Sequence, residues 1–242
     1  ACHALGTTHQ SNRGKHTIGD CTFSSAAAFS FHPVKTIAVG EGGAILTNDQ
    51  DIDRRARLFR NHGMTRNPED FSETDLAFDS SGTVNPWYYE TVELGFNYRA
   101  SDIACALGLS QIQKLPQFAE QRRMIAERYD DLFSDQAMVL PLRRKRDCDP
   151  VLHLYVVRVD FDRLGISRAK AMLALQDRGV GTQVHYIPLH LHSFYRASND
   201  PSDFPGANAY YRRCLALPLY PGLTEAMQEK VVDAVVDVLR AQ

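Results

Sequence analysis

The sequence has 242 residues, of which 44% are hydrophobic and 23% are charged, and its formal net charge is −2. This composition is typical of a globular protein and argues against a disordered, collagen-like or coiled-coil chain. A near-neutral surface has no electrostatic footprint for nucleic acid or for an acidic membrane surface. We therefore expect neither nucleic acid nor membrane as a partner.

The cysteines indicate reduced thiols rather than a structural framework. Their number, five, is odd and none forms a C-x-x-C pair, which argues against disulfides and zinc knuckles. No apolar stretch reaches the length of about eighteen residues that a membrane span requires. We expect a cytoplasmic protein.

Residues 1–114 predict strands and helices around a glycine-rich turn. The predicted elements are strands over residues 26–31 and 44–47 and helices over residues 51–62 and 101–114, the last capped by Ser101. The turn between the two strands contains Lys35 and ends in Gly40-Glu41-Gly42-Gly43, where glycine permits close backbone approach. The long polar segment 64–93 predicts a functional or mobile loop.

Residues 115–242 predict a linking helix and a small α+β domain. The predicted elements are a long helix opened by Pro116, strands over residues 152–161 and 180–186, and helices over residues 167–179, 207–215 and 224–240. We expect the domain boundary at residues 114 and 115.

Lys35 is the first candidate for chemistry. It lies between a predicted strand and a glycine-rich turn, beside apolar residues that can exclude water. A lysine amine in such a place can form a Schiff base with a carbonyl compound. A solvated loop lysine is the alternative on general grounds, because most lysines lie at the surface.

Three other groups of residues leave alternatives open. His185, His190 and His192 have the residue type of metal ligands, but their spacing matches no common zinc pattern, and a metal-dependent hydrolase is the weaker interpretation. The basic run 143–146 is best interpreted as a solvated loop. The aromatic run 87–89 fits either the core or a flat platform for a ring.

Motifs along almost the whole chain resemble the DegT/DnrJ/EryC1/StrS sugar aminotransferases. They are Ser30-Phe31-His32-Pro33-Val34-Lys35, Gly40-Glu41-Gly42-Gly43, Thr47-Asn48-Asp49, His62-Gly63, Gly95-Phe96-Asn97-Tyr98-Arg99, Ala106-Leu107-Gly108 with Gln111, Val184-His185-Tyr186-Ile187-Pro188-Leu189 and Leu217-Pro218-Leu219. Within that family, residues 107–111 and 62–64 are similar to the PseC-type branch, which aminates a UDP-linked 4-keto-6-deoxy-N-acetyl sugar.

The resemblance implies an α/β enzyme of the pyridoxal-phosphate-dependent fold type I, similar to aspartate aminotransferase. Residues 1–114 would be the C-terminal part of a large, mostly parallel cofactor domain, and residues 115–242 the link and the small domain. Lys35 occupies the position of the lysine that binds pyridoxal 5′-phosphate as a Schiff base. Ser30, His3 and Asn97 match cofactor-binding positions, Asn97 reaching the partner subunit's cofactor in a homodimer with shared active sites. The substrate-binding positions are Arg99, His185 and Tyr186.

The resemblance also implies the reaction. L-Glutamate would supply an amino group, by way of the cofactor, to the C4 keto group of a nucleotide-linked 4-keto-6-deoxy sugar, in bacterial surface-glycan biosynthesis of the pseudaminic acid type. Lys35 would move the proton.

The sequence departs from the family pattern at its start. The family's motif places an Asp, the partner of the pyridine nitrogen, directly before Ala1, and the preceding half of the large domain is expected to be absent. The alternative function is therefore a non-catalytic, aminotransferase-like fragment that binds a sugar nucleotide or a partner.

Overall fold

The computed structural model describes residues 1–240, which divide into two compact units, residues 1–115 and residues 116–240. The first unit contains short strands and three helices among its described elements. They are β1 (Thr8–Ser11), β2 (Gly14–Thr17), β3 (Ala27–Ser30), β4 (Gly43–Leu46), α1 (Gln50–Arg60), β5 (Met64–Thr65), α2 (Thr74–Ala77), β6 (Glu90–Thr91) and α3 (Asp102–Gln113).

The strand pairs within the first unit are antiparallel. β1 pairs with β2, β3 pairs with β4 so that Ala27 lies opposite Leu46, and β5 pairs with β6. The expectation of a mostly parallel sheet for residues 1–114 is therefore wrong for the described pairs. Two consecutive strands can pair in parallel only when a long crossover connection, usually a helix, joins them. Here β3 and β4 are joined by a turn, so the chain returns antiparallel.

Side-chain caps begin the two longer helices of the first unit, and the cap of the second is the predicted residue Ser101. Asp49 accepts hydrogen bonds from the backbone N–H groups of Asp51 and Ile52 at the start of α1. Ser101 accepts one from the N–H of Ala104 at the start of α3. Each cap satisfies backbone donors that the helix leaves unpaired, which explains why the helices begin there.

The second unit is a small α+β arrangement. Its described elements are α4 (Leu115–Leu132, whose first residue closes the first unit), β7 (Val139–Pro141), β8 (Cys148–Asp149), β9 (Tyr155–Val159), α5 (Phe161–Leu164), α6 (Arg168–Asp177), α7 (Ser193–Arg196), α8 (Pro205–Arg213), β10 (Cys214–Leu217) and α9 (Glu225–Arg240). β9 is the central strand of a sheet in the order β10-β9-β7, and both pairings are antiparallel.

The strand predicted over residues 180–186 is wrong. In the structure that segment forms only a single antiparallel bridge, between Gln183 and Ala216. The place beside β9 is taken by β10, whose four residues are all buried. The apolar residues of β10 can pair with β9 and pack into the core at the same time, whereas residues 181–187 are half-exposed or exposed.

The main hydrophobic core lies in the second unit. Its buried members come from α4, β7, β9, α6, β10 and α9, and include Tyr129, Val157, Leu175, Leu215 and Val235. Ser167 caps α6 at the predicted residue. None of the helices in residues 1–240 is long and apolar enough to cross a membrane.

A buried arginine connects three segments of the second unit. The guanidinium of Arg122, in α4, donates to the carbonyl oxygens of Leu152, His153 and Leu219 at 3.3, 3.2 and 3.1 Å. Arg122 is 5% exposed, and burial lowers the pKa of its guanidinium below the ordinary value. The side chain therefore replaces water for three carbonyl groups that no strand pairing satisfies.

Replacing Arg122 by Met should lower the free energy of unfolding by about 2–4 kcal/mol, because carbonyl groups would be left buried and unpaired. The control is Arg123→Met. Arg123 is exposed enough to pair with Glu120 and Asp149 at the surface, and its loss should cost under about 1 kcal/mol. Denaturant unfolding of both variants measures the difference. Equal losses would contradict the role assigned to Arg122.

Candidate active site

Lys35 lies in a turn whose base is closed by backbone hydrogen bonds. The N–H of Phe31 donates to the Gly42 oxygen at 2.8 Å, and the N–H of Val39 donates to the Phe31 oxygen at 2.9 Å. Inside the turn, the N–H of Lys35 donates to the His32 oxygen at 2.9 Å. The two residues that follow Lys35 are buried, so the turn is anchored next to the lysine.

The Lys35 amine meets His3, which is 32 residues away in the sequence. Lys35 Nζ lies 2.9 Å from His3 Nε2, and both side chains are partly buried. One proton is shared between Lys35 Nζ and His3 Nε2, and the tautomer of the ring decides which nitrogen donates it. Within residues 1–240 no carboxylate forms an ion pair with Lys35. Within the described chain the amine is thus positioned by an imidazole rather than by a carboxylate.

Ser30 ends β3 directly before this turn. Its hydroxyl oxygen accepts a long hydrogen bond, 3.5 Å, from the His32 N–H, and its own proton has no acceptor in the described chain. Opposite Ser30 in the register is Gly43. A Cβ built on Gly43 would lie 2.6 Å from the Phe29 carbonyl oxygen. Only glycine allows β3 and β4 to approach so closely at the base of the turn.

Asn97 and Arg99 lie on a segment that runs beside the end of α1. Asn97 forms an antiparallel bridge with Asn61, and the Tyr98 N–H donates to the Arg60 oxygen at 2.9 Å. Arg99 donates to the Asn61 side-chain oxygen. The Asn97 amide itself is exposed and makes no hydrogen bond within residues 1–240. The structure thus places Asn97 and Arg99 together, on a different segment from the Lys35 turn.

Asn61 is a positioning residue that the sequence analysis missed. Its backbone pairs with Asn97, and its side-chain oxygen accepts a hydrogen bond from Arg99. The turn that follows it is forced by two residues with positive φ, His62 at 60° and Gly63 at 70°. The sequence signal for Asn61 is its position at the end of a predicted helix, directly before His62-Gly63, where a helix typically stops and the chain turns.

His185 and Tyr186 belong to the second unit. Their rings meet edge to face with centroids 4.7 Å apart, and the Tyr210 hydroxyl donates to the His185 carbonyl oxygen at 3.1 Å. Tyr186 is 56% exposed. The two candidates therefore form one aromatic pair, anchored from α8 and open to solvent on the tyrosine side.

The histidines considered as metal ligands have other partners. His190 Nε2 lies 2.8 Å from Asn208 Oδ1, and the ring stacks on Phe204. His192 Nε2 contacts the Ile187 carbonyl oxygen at 3.3 Å. Among residues 1–240, no group of three or more metal-ligating side chains could hold an ion. These contacts support structural roles for both rings.

The aromatic run 87–89 divides between two environments. The Tyr88 ring packs edge to face on Phe71, and its hydroxyl donates to Glu90 at 3.0 Å. Glu90 also accepts from the side chain and backbone of Ser72, and these hydrogen bonds hold the pKa of Glu90 below its ordinary value. Trp87 is 72% exposed. The run therefore fixes the loop through Tyr88 and presents Trp87 at the surface.

Comparison with known families identifies one match along the chain. The sequence model of the DegT/DnrJ/EryC1/StrS aminotransferase family matches residues 1–236. The spore coat polysaccharide biosynthesis protein SpsC of Bacillus subtilis is 34% identical over 243 residues, which are 99% of this chain and 59% of SpsC.

The similar solved structures are also aminotransferases. PseC of Helicobacter pylori, an aminotransferase involved in the biosynthesis of pseudaminic acid, has a TM-score of 0.85 at 27% identity, over 100% of this chain and 59% of PseC. Spr1654 of Streptococcus pneumoniae, solved in a PLP-form, has a TM-score of 0.82 at 24% identity, over 100% of this chain and 57% of Spr1654, and shows the fold alone. The chain spans less than two thirds of the length of these relatives.

Replacing Gly43 by Ala should lower the free energy of unfolding by about 1–3 kcal/mol, the usual cost of a forced backbone shift. The cause is the 2.6 Å approach of the new Cβ to the Phe29 oxygen. Gly206→Ala is the control, because a Cβ there meets no atom within 4 Å, and its effect should stay below about 1 kcal/mol. Chemical denaturation distinguishes the two; a Gly43→Ala variant as stable as the control would contradict the close approach.

Proposed function

Because the chain belongs to the DegT/DnrJ/EryC1/StrS aminotransferase family, we propose that this protein acts as a sugar aminotransferase. It would move an amino group from L-glutamate to the C4 keto group of a nucleotide-linked 4-keto-6-deoxy sugar. The observation that carries the proposal is the contact between Lys35 Nζ and His3 Nε2 at 2.9 Å. The likeness to PseC and SpsC, both named for glycan biosynthesis, supports a sugar substrate.

The residues around Lys35 fit the family's cofactor, pyridoxal 5′-phosphate. A phosphorylated aldehyde needs an amine that no carboxylate holds in the protonated form and a hydroxyl donor for its phosphate. Lys35 supplies the first, and Ser30, whose proton has no acceptor in the described chain, supplies the second. When bound, the cofactor supplies an electron sink for the bond-breaking step.

Lys35 and His3 have complementary roles in this proposal. Lys35 Nζ binds the cofactor's aldehyde carbon and, once released, holds the proton that moves during amino transfer. His3 orients the amine through Nε2, and the buried Ile37 keeps water from one side of the turn. The lysine is thereby held in one position for proton transfer, which is the condition for efficient general acid–base catalysis.

Arg99 is proposed to bind the phosphate groups of the nucleotide sugar. Its guanidinium is exposed, and its one described contact is with the neutral Asn61 amide, so its charge is available to an anion. Planar guanidinium groups pair well with phosphate oxygens. His185 and Tyr186 are proposed to contact the sugar, because their aromatic pair is open on the Tyr186 side and offers a ring face and a hydroxyl there.

A homodimer with shared active sites is part of the proposal. The segment that carries Asn97 exposes its apolar neighbours, since Leu94 is 93%, Phe96 55% and Tyr98 73% exposed. An exposed apolar strip of this kind marks a surface that another polypeptide covers. Asn97 lies in the middle of the strip, and its unpaired amide is suited to donate to a phosphate held by the partner subunit.

Lys35→Ala should remove covalent cofactor attachment. Wild-type chain incubated with pyridoxal 5′-phosphate and reduced with borohydride should carry one label, on the peptide that contains Lys35. The variant should carry none, and the rate of amino transfer should fall by at least about 10²-fold, the low end of acid–base catalysis. Mass spectrometry of the peptides and a glutamate-dependent assay measure both.

The matched control for this experiment is Lys15→Ala, an exposed lysine of β2. This variant should carry the cofactor label on the Lys35 peptide and should transfer amino groups at the wild-type rate. A wild-type chain that gains no label at Lys35, or a Lys35→Ala variant that is labelled equally elsewhere, would overturn the assignment and favour a non-catalytic binding protein.

Subunit mixing tests the shared site. Lys35→Ala and Asn97→Ala should each have low activity alone. When the two are co-expressed, half of the dimers are mixed and each has one intact site, so about a quarter of the wild-type activity should return. Co-expressed Lys35→Ala and Lys35→Arg serve as the control and should recover none. Full activity of Asn97→Ala alone, or no recovery on mixing, would refute the role of Asn97.

A further inference from the structure

A second group of charged residues surrounds a cavity of about 260 Å³, and all its lining residues belong to the second unit. The charged lining residues are Arg158, Asp160, Arg163 and Arg213. Met138 and Leu140 form part of an apolar wall. None of these residues has a part in the aminotransferase proposal.

The topology of the small sheet brings the three arginines together. Tyr155, Val157 and Val159 of β9 point into the main core, so Arg158 lies on the other face of the same strand. It is paired with Leu140 of β7 and with Cys214 of β10, in the middle of the sheet. Arg158 is thus a charged residue at the centre of a three-stranded sheet.

The other charged residues arrive from the ends of helices. Asp160 directly follows β9 and caps α5, accepting a hydrogen bond from the Arg163 N–H at 3.3 Å. Arg213 is the last residue of α8, directly before β10. Three arginines from three separate elements therefore line one cavity. The basic run 143–146, by contrast, consists of neighbours along a single loop.

The charges in the cavity do not balance. Arg213 Nη2 forms an ion pair with Asp160 Oδ2 at 2.7 Å. Arg158 and Arg163 have no carboxylate partner within residues 1–240. The Nε atom of Arg158 is buried and has no hydrogen-bond acceptor. The Nε atoms of Arg122, Arg123 and Arg128 are likewise without an acceptor, but those side chains have carbonyl or carboxylate partners. The Arg158 guanidinium has no such partner within residues 1–240 and lines the cavity, so its donors are available to a bound acceptor.

We propose that this cavity binds a small organic phosphate. Two unpaired guanidinium groups match the two negative charges that a phosphate monoester carries above its second pKa of about 6. Guanidinium forks bind phosphate oxygens through paired hydrogen bonds, which would satisfy the Arg158 Nε. The cavity has the volume of about nine liquid waters, enough for the phosphate and a small organic body against Met138 and Leu140.

Calorimetric titration of the intact chain with phenyl phosphate, at constant ionic strength and pH 7.5 or above, tests the proposal. Phenyl phosphate offers a dianion and an apolar body, whereas benzoate offers the same body with one charge. Wild-type chain should bind phenyl phosphate more tightly than benzoate. Arg158→Gln and Arg163→Gln should each weaken phenyl phosphate binding about tenfold or more.

Two further variants separate binding from folding. Asp160→Asn keeps the cap of α5 but releases Arg213 to the cavity, so it should tighten phenyl phosphate binding several-fold. Arg212→Gln, the exposed neighbour of Arg213 outside the cavity lining, should bind like the wild type. Circular dichroism confirms that each variant is folded.

Three results would overturn the proposal. They are unchanged affinity in Arg158→Gln and Arg163→Gln, weaker rather than tighter binding in Asp160→Asn, and equal binding of benzoate and phenyl phosphate. The first would place phosphate binding elsewhere in the chain, and the last would show an unselective cationic surface.

Discussion

The hydrogen bond between Lys35 and His3 is the contact on which the candidate site depends, and it joins residues 32 positions apart. It requires β3 and β4 to pair closely enough for the intervening turn to close at its base. That pairing in turn requires glycine at position 43, because any Cβ there would meet the Phe29 carbonyl. The position of the Lys35 amine thus depends on a close backbone approach at the base of its turn.

The two units differ in how their structure is stabilised. The second unit has an extensive buried core, in which α4, α6 and α9 pack on the small sheet. In the described part of the first unit only Phe29, Ile37, Leu58 and Ala77 are buried apolar residues. Its candidate site segments are therefore held mainly by hydrogen bonds, and the exposed apolar residues of α3, such as Ile103, are available to another surface.

Arginine serves three different purposes in this chain. Arg122 is buried and donates to three backbone carbonyls, so it is structural. Arg99 is exposed and oriented by Asn61, which leaves its charge without a carboxylate partner in the described chain. Arg158 is half-buried, and its guanidinium has neither a carbonyl nor a carboxylate partner in the described chain, so its donors are available to an anion in the cavity. Residue type alone does not distinguish these cases; the partners do.

The sequence by itself determined the features that depend on neighbours along the chain: the caps Ser101 and Ser167, the turn glycines, and the motif residues, among them Lys35, that identify the family. The contact of Lys35 with His3, the support of Arg99 by Asn61, and the cavity around Arg158 were decided only by the tertiary structure. The same holds for the strand that pairs with β9, where β10 rather than residues 180–186 forms the ladder. Caps and turns are local interactions that a short stretch specifies, whereas strand partners and side-chain contacts depend on which distant segments bury the most apolar surface together.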